Sequence, residues 1–441
     1  MFPDFITKTQ TNKSKILFIG RGHSTHTQSW INLLESTNFD VRLFSLASGN
    51  PPDSWDVLTY CTKPFDHNIK TLTSINLYPA SAFYLGNRVI GRVISKSALN
   101  KALFAGPAQP SIALKVIQRL LPGVIPNFHV DHSELEMRWL AQIIYDWRPD
   151  IIHTFSLEFA GDFFFQVRKH YHLEGIGKWV LQLWGGSDIT LKRLDPGALG
   201  KMVPVLSACD HLLSDNMVHV EYARQMGVKE EQLPSINPVP GVGGVDVDAC
   251  LEMWHGMPST RRIIVWPKAH EEGPYSKALP VLEALRLCWD RIKPCEIFIL
   301  QSSKQTRMWF ATLPQEIQKA CHLEGWIPRE ENLKLMANAR VLLSPSLVDG
   351  TPNSLYEAMA CGAFPIISPL ETITPIVEDQ RNAIYARNLY PTEIADALVK
   401  AMNEDAFVDY AALENLKKVR ELADRKIIRE RVVKYYHELA K

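Results

Sequence analysis

Short apolar runs alternate with longer amphipathic stretches along this chain, in two successive series, and that alternation limits it to an α/β fold. In the first series the runs fall at 15–20, 41–46, 57–60, 151–155, 179–184 and 211–214; in the second they fall at 262–267, 297–301, 341–344, 364–368 and 383–385. Each is a short apolar run of strand length, whereas the stretches between them carry helical spacing. Strand–helix alternation of this kind builds parallel sheets covered by helices. Between the two series lies PSINPVPGVGGVDVD (234–248), dense in Pro and Gly, which reads as a linker or hinge. The expectation is two α/β/α domains, 1–240 and 241–412, facing each other across a cleft. A charged C-terminal helix, 413–441, is expected to pack back toward the first domain.

Composition narrows the class of function. Lys plus Arg and Asp plus Glu both number 48, so no global field favours nucleic acid. The seven cysteines are scattered, with no C-x-x-C pair, which points to reduced thiols and to neither a zinc site nor a disulfide framework. The first residues lack the pattern of a secretory signal, and no apolar run reaches membrane-spanning length, so a cytoplasmic protein is expected. One region breaks the charge balance. From 67 to 130 there is no acidic residue, while Lys70, Arg88, Arg92, Lys96, Lys101, Lys115 and Arg119 are interleaved with apolar side chains. Two readings stand: a peripheral surface for an anionic membrane at the inner face of the cell, or solvated helices whose acidic partners come from elsewhere.

The chemistry concentrates in SPSLVDGTPNSLYEAMACGAFPIIS, 344–368. The apolar run before it is a strand, Asp349 follows the strand, Thr351 to Ser354 open a helix, and Glu357 lies about one turn further on. Exposed N–H groups at a helix start suit phosphate or sugar oxygens, and the two acids can accept hydrogen bonds from hydroxyls. A capped helix preceded by an exposed acid is the plainer reading. The whole segment, however, resembles the donor-sugar motif of retaining glycosyltransferases of the GT-B fold, especially glycosyltransferase family 4, where an acid, seven residues and a Glu precede text like EAMACGxPVI. Asp349 stands where most of that family has Glu, a variant also seen in the related trehalose-phosphate synthases.

The resemblance implies a GT-B architecture of two Rossmann-like domains and a set of roles. Asp349 would hold a sugar hydroxyl and Glu357 the ribose hydroxyls, while backbone N–H groups near Gly350, Thr351, Asn353 and Ser354 would face the sugar or distal phosphate. Pro352 has no N–H to offer. Lys268 and Lys277, in RRIIVWPKAHEEGPYSKAL, match the cations that grip the diphosphate. His153, in RPDIIHTFSLEFAG, matches a family histidine that reaches the donor sugar, so by the resemblance Asp349 and His153 would be the catalytic residues. QLWGGSDIT resembles a W-G-S-D segment with an extra Gly, so Trp184, Ser187 and Asp188 would border the acceptor side. In KILFIGRGHSTHTQSW the loop holding Gly22 would approach the donor phosphate, with His23, Ser24 and His26 on the acceptor side. Asp246 and Asp248 share only their spacing with a metal-binding D-x-D; they match a GVD linker and read as a turn, with no metal.

The function so implied is transfer of a hexosyl or N-acetylhexosaminyl group, with retention, from a nucleotide-diphosphate sugar to a glycan or lipid-linked hydroxyl, in surface polysaccharide or glycoconjugate biosynthesis. No further cofactor is expected. Alternatives are a nucleotide-sugar epimerase on the same fold, a non-catalytic nucleotide-sugar-binding relative, and a dehydrogenase. Gly20-x-Gly22-x-x-Thr25 is two thirds of a dinucleotide fingerprint, but the third Gly is missing and the next strand ends without a ribose-holding acid.

Overall fold

The computed structural model describes residues 13–46, 55–61, 75–77, 132–270 and 275–441. The basic stretch between 67 and 130 therefore lies outside the described residues, apart from the backbone of 75–77.

Two parallel sheets organise the chain. The first contains β1 (Ser14–Gly20), β2 (Phe39–Ser45), β3 (Leu58–Cys61), β4 (Ile75–Leu77), β5 (Ile151–Phe155), β6 (Lys178–Gln182) and β7 (His211–Leu213), in the order β4-β3-β2-β1-β5-β6-β7. The second contains β8 (Ile263–Trp266), β9 (Glu296–Ile299), β10 (Cys321–Leu323), β11 (Ala339–Ser344), β12 (Phe364–Ile367) and β13 (Ile384–Tyr385), in the order β10-β9-β8-β11-β12-β13. Central strands are buried on both faces, as parallel sheets covered by helices require: β5 and β11 have no exposed residue. Two three-residue edge strands, β4 and β10, carry too short an apolar pattern to be read from the sequence.

The chain divides into two compact units. The first comprises Met1–Gln182, Pro204–Leu212 and Tyr435–Lys441; the second comprises Leu183–Val203 and Leu213–Lys434. In the second, the alternation of side chains along β11 builds both faces of the core at once. Val341 and Leu343 join the layer under the helices Ala278–Ile292 and Pro391–Asn403. Leu342 joins the layer containing Leu355, Ala358, Met359 and Cys361 of the helix Asn353–Cys361. That helix stops at Gly362, whose φ of +76° and 2.7 Å clearance between an added Cβ and the Trp254 ring leave room only for glycine.

Two features of the backbone differ from expectation. The C-terminal segment forms two helices, Asp405–Ala423 and Arg425–Leu439, because Asp424 takes an extended backbone and accepts from Lys426 N at 2.8 Å. The Pro/Gly-rich stretch lies within the second unit and is pinned there: Val245 donates to Ala423 O and Arg425 donates to Val245 O, both at 2.9 Å.

Candidate active site

Both sheets reverse their strand order next to their first strand, and in open α/β sheets ligands bind outside the strand ends at such a switch point. In the second sheet it lies between β8 and its neighbour β11. Lys268 follows β8 and Asp349 follows β11, so neighbouring strand exits bring them together: Lys268 Nζ donates to Asp349 Oδ2 at 2.5 Å. The pair is half-buried, with side-chain exposures of 32% and 16%.

The helix Asn353–Cys361 begins beside them. No side chain caps its start, which opens on Pro352. Asn353 Oδ1 and Ser354 Oγ are buried at this start without a hydrogen-bond partner, a costly arrangement unless a ligand supplies one. Glu357 is 7% exposed and is the only charged residue of an otherwise apolar or neutral helix. A buried carboxylate needs a partner, and Arg329 provides it, its Nε donating to Glu357 Oε1 at 2.8 Å. Arg329 opens the helix after β10 and also donates to Gly244 O at 3.3 Å. Sequence reasoning misses Arg329; its signal is a cation at the first helical position after a strand of this sheet. Two acid–base pairs thus flank an uncapped helix start.

The turn connecting Asp349 to that helix is clamped on several sides. Thr372 Oγ1 donates to Asp349 O at 3.0 Å, and Thr351 Oγ1 donates to Thr372 O at 3.2 Å. Thr351 N, expected to face the donor, instead donates to Asp215 Oδ2 at 3.1 Å. The extra glycine of QLWGGSDIT is explained here too. Gly185 has a φ of +59°, and an added Cβ on Gly186 would fall 2.5 Å from Val348 Cγ1 and 2.9 Å from Asp349 Cα. Trp184 and Asp188, expected on the acceptor side, belong to the same unit as Asp349. Asp188 Oδ2 accepts from Trp184 N at 2.6 Å, closing the turn that carries the two glycines. Lys277 precedes the helix Ala278–Ile292, and Asn388 brackets its backbone, accepting from Lys277 N at 2.8 Å and donating to Lys277 O at 3.1 Å.

Residues of the first unit present a different picture. His153 lies inside β5, opposite Phe18 and Val180, and is wholly buried. Its Nε2 faces Gln182 Oε1 at 3.0 Å, and its Nδ1 accepts from the Tyr436 hydroxyl at 2.6 Å. The same hydroxyl accepts from Trp30 Nε1 at 3.0 Å. Burial lowers the imidazole pKa to about 3, so the ring is neutral, with its proton on Nε2. Both ring nitrogens are spent within the core, and the expected catalytic histidine is here a structural one.

The Gly22 N–H is likewise engaged, donating to Ser45 Oγ at 3.0 Å, and an added Cβ there would meet that oxygen at 2.9 Å. The glycine is therefore required by close packing against β2. His23 and His26 are exposed and Ser24 is half-buried, at the start of the helix Thr25–Ile31. Partial burial and the neighbouring Arg21 hold the His23 pKa below its usual value. Asp246 caps the helix Val247–Glu252 through Ala249 N at 3.1 Å, and Asp248 accepts from Arg420 and Lys426 at 2.8 and 2.7 Å.

Comparison with known proteins bears on the fold and on the second unit. Residues 271–404 match the family model described as glycosyl transferases group 1. The N,N'-diacetylbacillosaminyl-diphospho-undecaprenol alpha-1,3-N-acetylgalactosaminyltransferase of Campylobacter jejuni is 21% identical over 280 residues, covering 61% of this chain and 70% of that protein. Among solved structures, sucrose-phosphate synthase from Thermosynechococcus elongatus superposes with a TM-score of 0.64 at 14% identity, covering 97% and 99% of the two chains. Anabaena HepE, solved in complex with UDP and glucose, gives 0.61 at 12% identity over 96% and 100%. These likenesses show a shared two-domain α/β fold, GT-B. Over residues 271–404, within its second unit, this chain is similar in sequence to the group 1 glycosyltransferases, and its fold is GT-B.

Proposed function

We propose that this protein transfers a sugar, with retention, from a nucleotide-diphosphate donor to a hydroxyl of a lipid-linked or glycan acceptor. The observation that carries the proposal is the uncapped helix start at Asn353–Ser354, flanked by the pairs Lys268–Asp349 and Arg329–Glu357 at a switch point of the second sheet. Glu357 is the acceptor for ribose hydroxyls and Asp349 for a sugar hydroxyl. Lys268, Lys277 and the helix start face the diphosphate, whose charge grows as the sugar leaves. The leaving diphosphate itself takes the acceptor proton on the same face, so the reaction needs no paired-carboxylate acid and base of the glycosidase kind.

The Campylobacter relative acts on a diphospho-undecaprenol substrate, and HepE was solved with UDP and glucose. These names support a lipid-linked acceptor and a UDP-sugar donor, with a hexosyl or N-acetylhexosaminyl group transferred. A peripheral position at the inner membrane face, through the basic stretch 67–130, fits such an acceptor. Flotation with anionic liposomes tests it; charge reversal at Arg88, Arg92 and Lys96 is expected to reduce partitioning, and equal partitioning would remove the idea.

The transferase proposal itself is tested by a thermal-shift screen of UDP- and GDP-sugars, followed by turnover with lipid extracts as acceptor. Specific stabilisation by one nucleotide sugar and acceptor-dependent release of the nucleoside diphosphate are expected. Conversion of the donor with no acceptor present would make the protein an epimerase. Stabilisation without any turnover would make it a binding protein.

A further inference from the structure

Asp215 follows β7 in a stretch, Ser214-Asp215-Asn216, that reads as the cap of the next helix. The cap, however, is Asn216, whose Oδ1 accepts from His219 N at 2.8 Å. That leaves the neighbouring carboxylate, only 6% exposed, for another use.

Its surroundings are specific. Asp215 Oδ1 accepts from Asn216 Nδ2 at 2.7 Å. Asn216 Nδ2 also lies 3.0 Å from His219 Nδ1, and His219 Nε2 lies 2.8 Å from Thr190 Oγ1. His219 Nδ1 also lies 3.5 Å from Asp215 Oδ1, so Asn216 and His219 both stand on that oxygen's side of the carboxylate. The other carboxylate oxygen, Oδ2, is held away from this network and accepts from Thr351 N at 3.1 Å. An added Cβ on Gly350 would lie 2.5 Å from that same oxygen and 2.9 Å from Gly185 Cα. Residue 350 must be glycine for the carboxylate to reach the turn.

We propose that Asp215 is a positioning residue for the donor site, holding the Asp349–Gly350–Thr351 turn from behind through Thr351 N. The assignment rests on the proposed donor role of Asp349 and the helix start. Thr372 fixes one side of the turn through Asp349 O and Thr351 Oγ1, and Asp215 fixes the other. Between them the orientation of Asp349 toward Lys268 is set before any ligand arrives. Preorganisation of this kind governs how well a site meets its ligand, although the residue supplying it need not touch the ligand.

The test compares wild type with Asp215→Ala and with the exchanged pair Asp215→Asn/Asn216→Asp. In the exchanged pair the position-215 amide oxygen still accepts from Thr351 N, and its NH2 donates to the new carboxylate at 216. That carboxylate keeps the helix cap and accepts from His219 Nδ1–H, while Thr190 donates to Nε2. Two readouts are taken. The first is amide hydrogen exchange of peptides spanning 349–352 in the ligand-free protein. The second is UDP affinity by calorimetry, with GDP as control.

In Asp215→Ala, exchange is expected to rise and UDP affinity to fall by about tenfold each, as for one lost buried hydrogen bond. The exchanged pair should restore both, even if the alanine variant folds poorly. Unchanged exchange in Asp215→Ala, or failure of the exchanged pair to restore it, overturns the contact. Faster exchange with unchanged UDP affinity overturns the positioning role and leaves a structural one. A wild-type protein that binds neither UDP nor GDP overturns the donor reading itself, and with it the positioning role, whereas the exchange data still report on the contact separately.

Discussion

His153 and Glu357 are both buried polar residues within Rossmann-like layers, and both match family positions that touch the donor, yet their surroundings differ in kind. Around His153 both ring nitrogens are engaged, and the unpartnered atom nearby is Gln182 Nε2, at the end of β6. Trp30 donates to Tyr436, Tyr436 donates to His153, and His153 donates to Gln182, with aromatic rings packed around the imidazole. Around Glu357, Asn353 Oδ1 and Ser354 Oγ are buried without partners, and the two acids are held by cations that a diphosphate could engage. An imidazole with both nitrogens engaged rigidifies a core, whereas unpartnered oxygens at a helix start are open to the donors of a ligand. Residue type at a motif position does not separate the two cases; the place of the unpartnered atoms does, an amide nitrogen within β6 in one and two oxygens at a helix start in the other.

This contrast can be broken or sharpened by substitution. The largest effect is expected for Glu357→Ala, which removes the ribose acceptor and leaves Arg329 without its carboxylate. Turnover of the nucleotide sugar identified by the screen should fall by more than about a hundredfold, since two ribose hydrogen bonds to a carboxylate, at about 1.5–3 kcal/mol each, are lost. Wild-type rates would refute the assignment. Lys268→Ala should follow, losing about 3 kcal/mol of transition-state stabilisation, as removal of a single charge-stabilising group does elsewhere. That loss should appear mainly in kcat, and a change confined to donor KM would place Lys268 in ground-state binding only.

Gly186→Ala drives a methyl group into Val348 and the Asp349 backbone. Overpacking of this kind costs about 1–3 kcal/mol, and thermal denaturation with and without UDP should show donor stabilisation falling further than intrinsic stability. Equal losses in both would mean that the glycine serves packing alone.

The smallest functional effect is expected for His153→Gln, whose consequence is for stability and pH. In the folded protein the imidazole pKa is about 3, against 6.5 in the unfolded chain. The unfolded state therefore binds the extra proton between those values, and the stability contributed by neutral His153 is complete above pH 6.5. It declines as pH falls toward 3, at up to about 1.4 kcal/mol per pH unit. Denaturant unfolding across pH 7 to 5 should show this acid limb in wild type and a flatter one in His153→Gln, with turnover at pH 7.5 retained in proportion to folded protein. A large kcat loss in a well-folded variant would return His153 to the active site.

Much of this molecule is legible in the sequence, and the reasons for the exceptions are physical. Strand β5 can be read to the residue because four apolar or β-branched positions around His153 are bounded by Pro149-Asp150 and Ser156. β10 escapes because Cys321-His322-Leu323 holds no adjacent apolar pair, whereas the equally short edge strand β7 shows as Leu212-Leu213; Arg329, which follows β10, escapes with it. The pair Asp349 and Glu357 is visible because strand, turn and helix lie within one contiguous segment. Asp215 cannot be found that way, since it meets Thr351 from 136 positions away and its neighbours read as an ordinary helix cap. The motif around His153 points to the donor, and only the position of Tyr436, 283 residues distant, shows that its ring nitrogens are already engaged.

The most direct test of the account is calorimetric titration of UDP into wild type, Glu357→Ala and His153→Gln, each verified as folded. Wild type and His153→Gln are expected to bind with similar affinity while Glu357→Ala binds at least about a hundredfold more weakly. Binding retained by Glu357→Ala and lost by His153→Gln would contradict this.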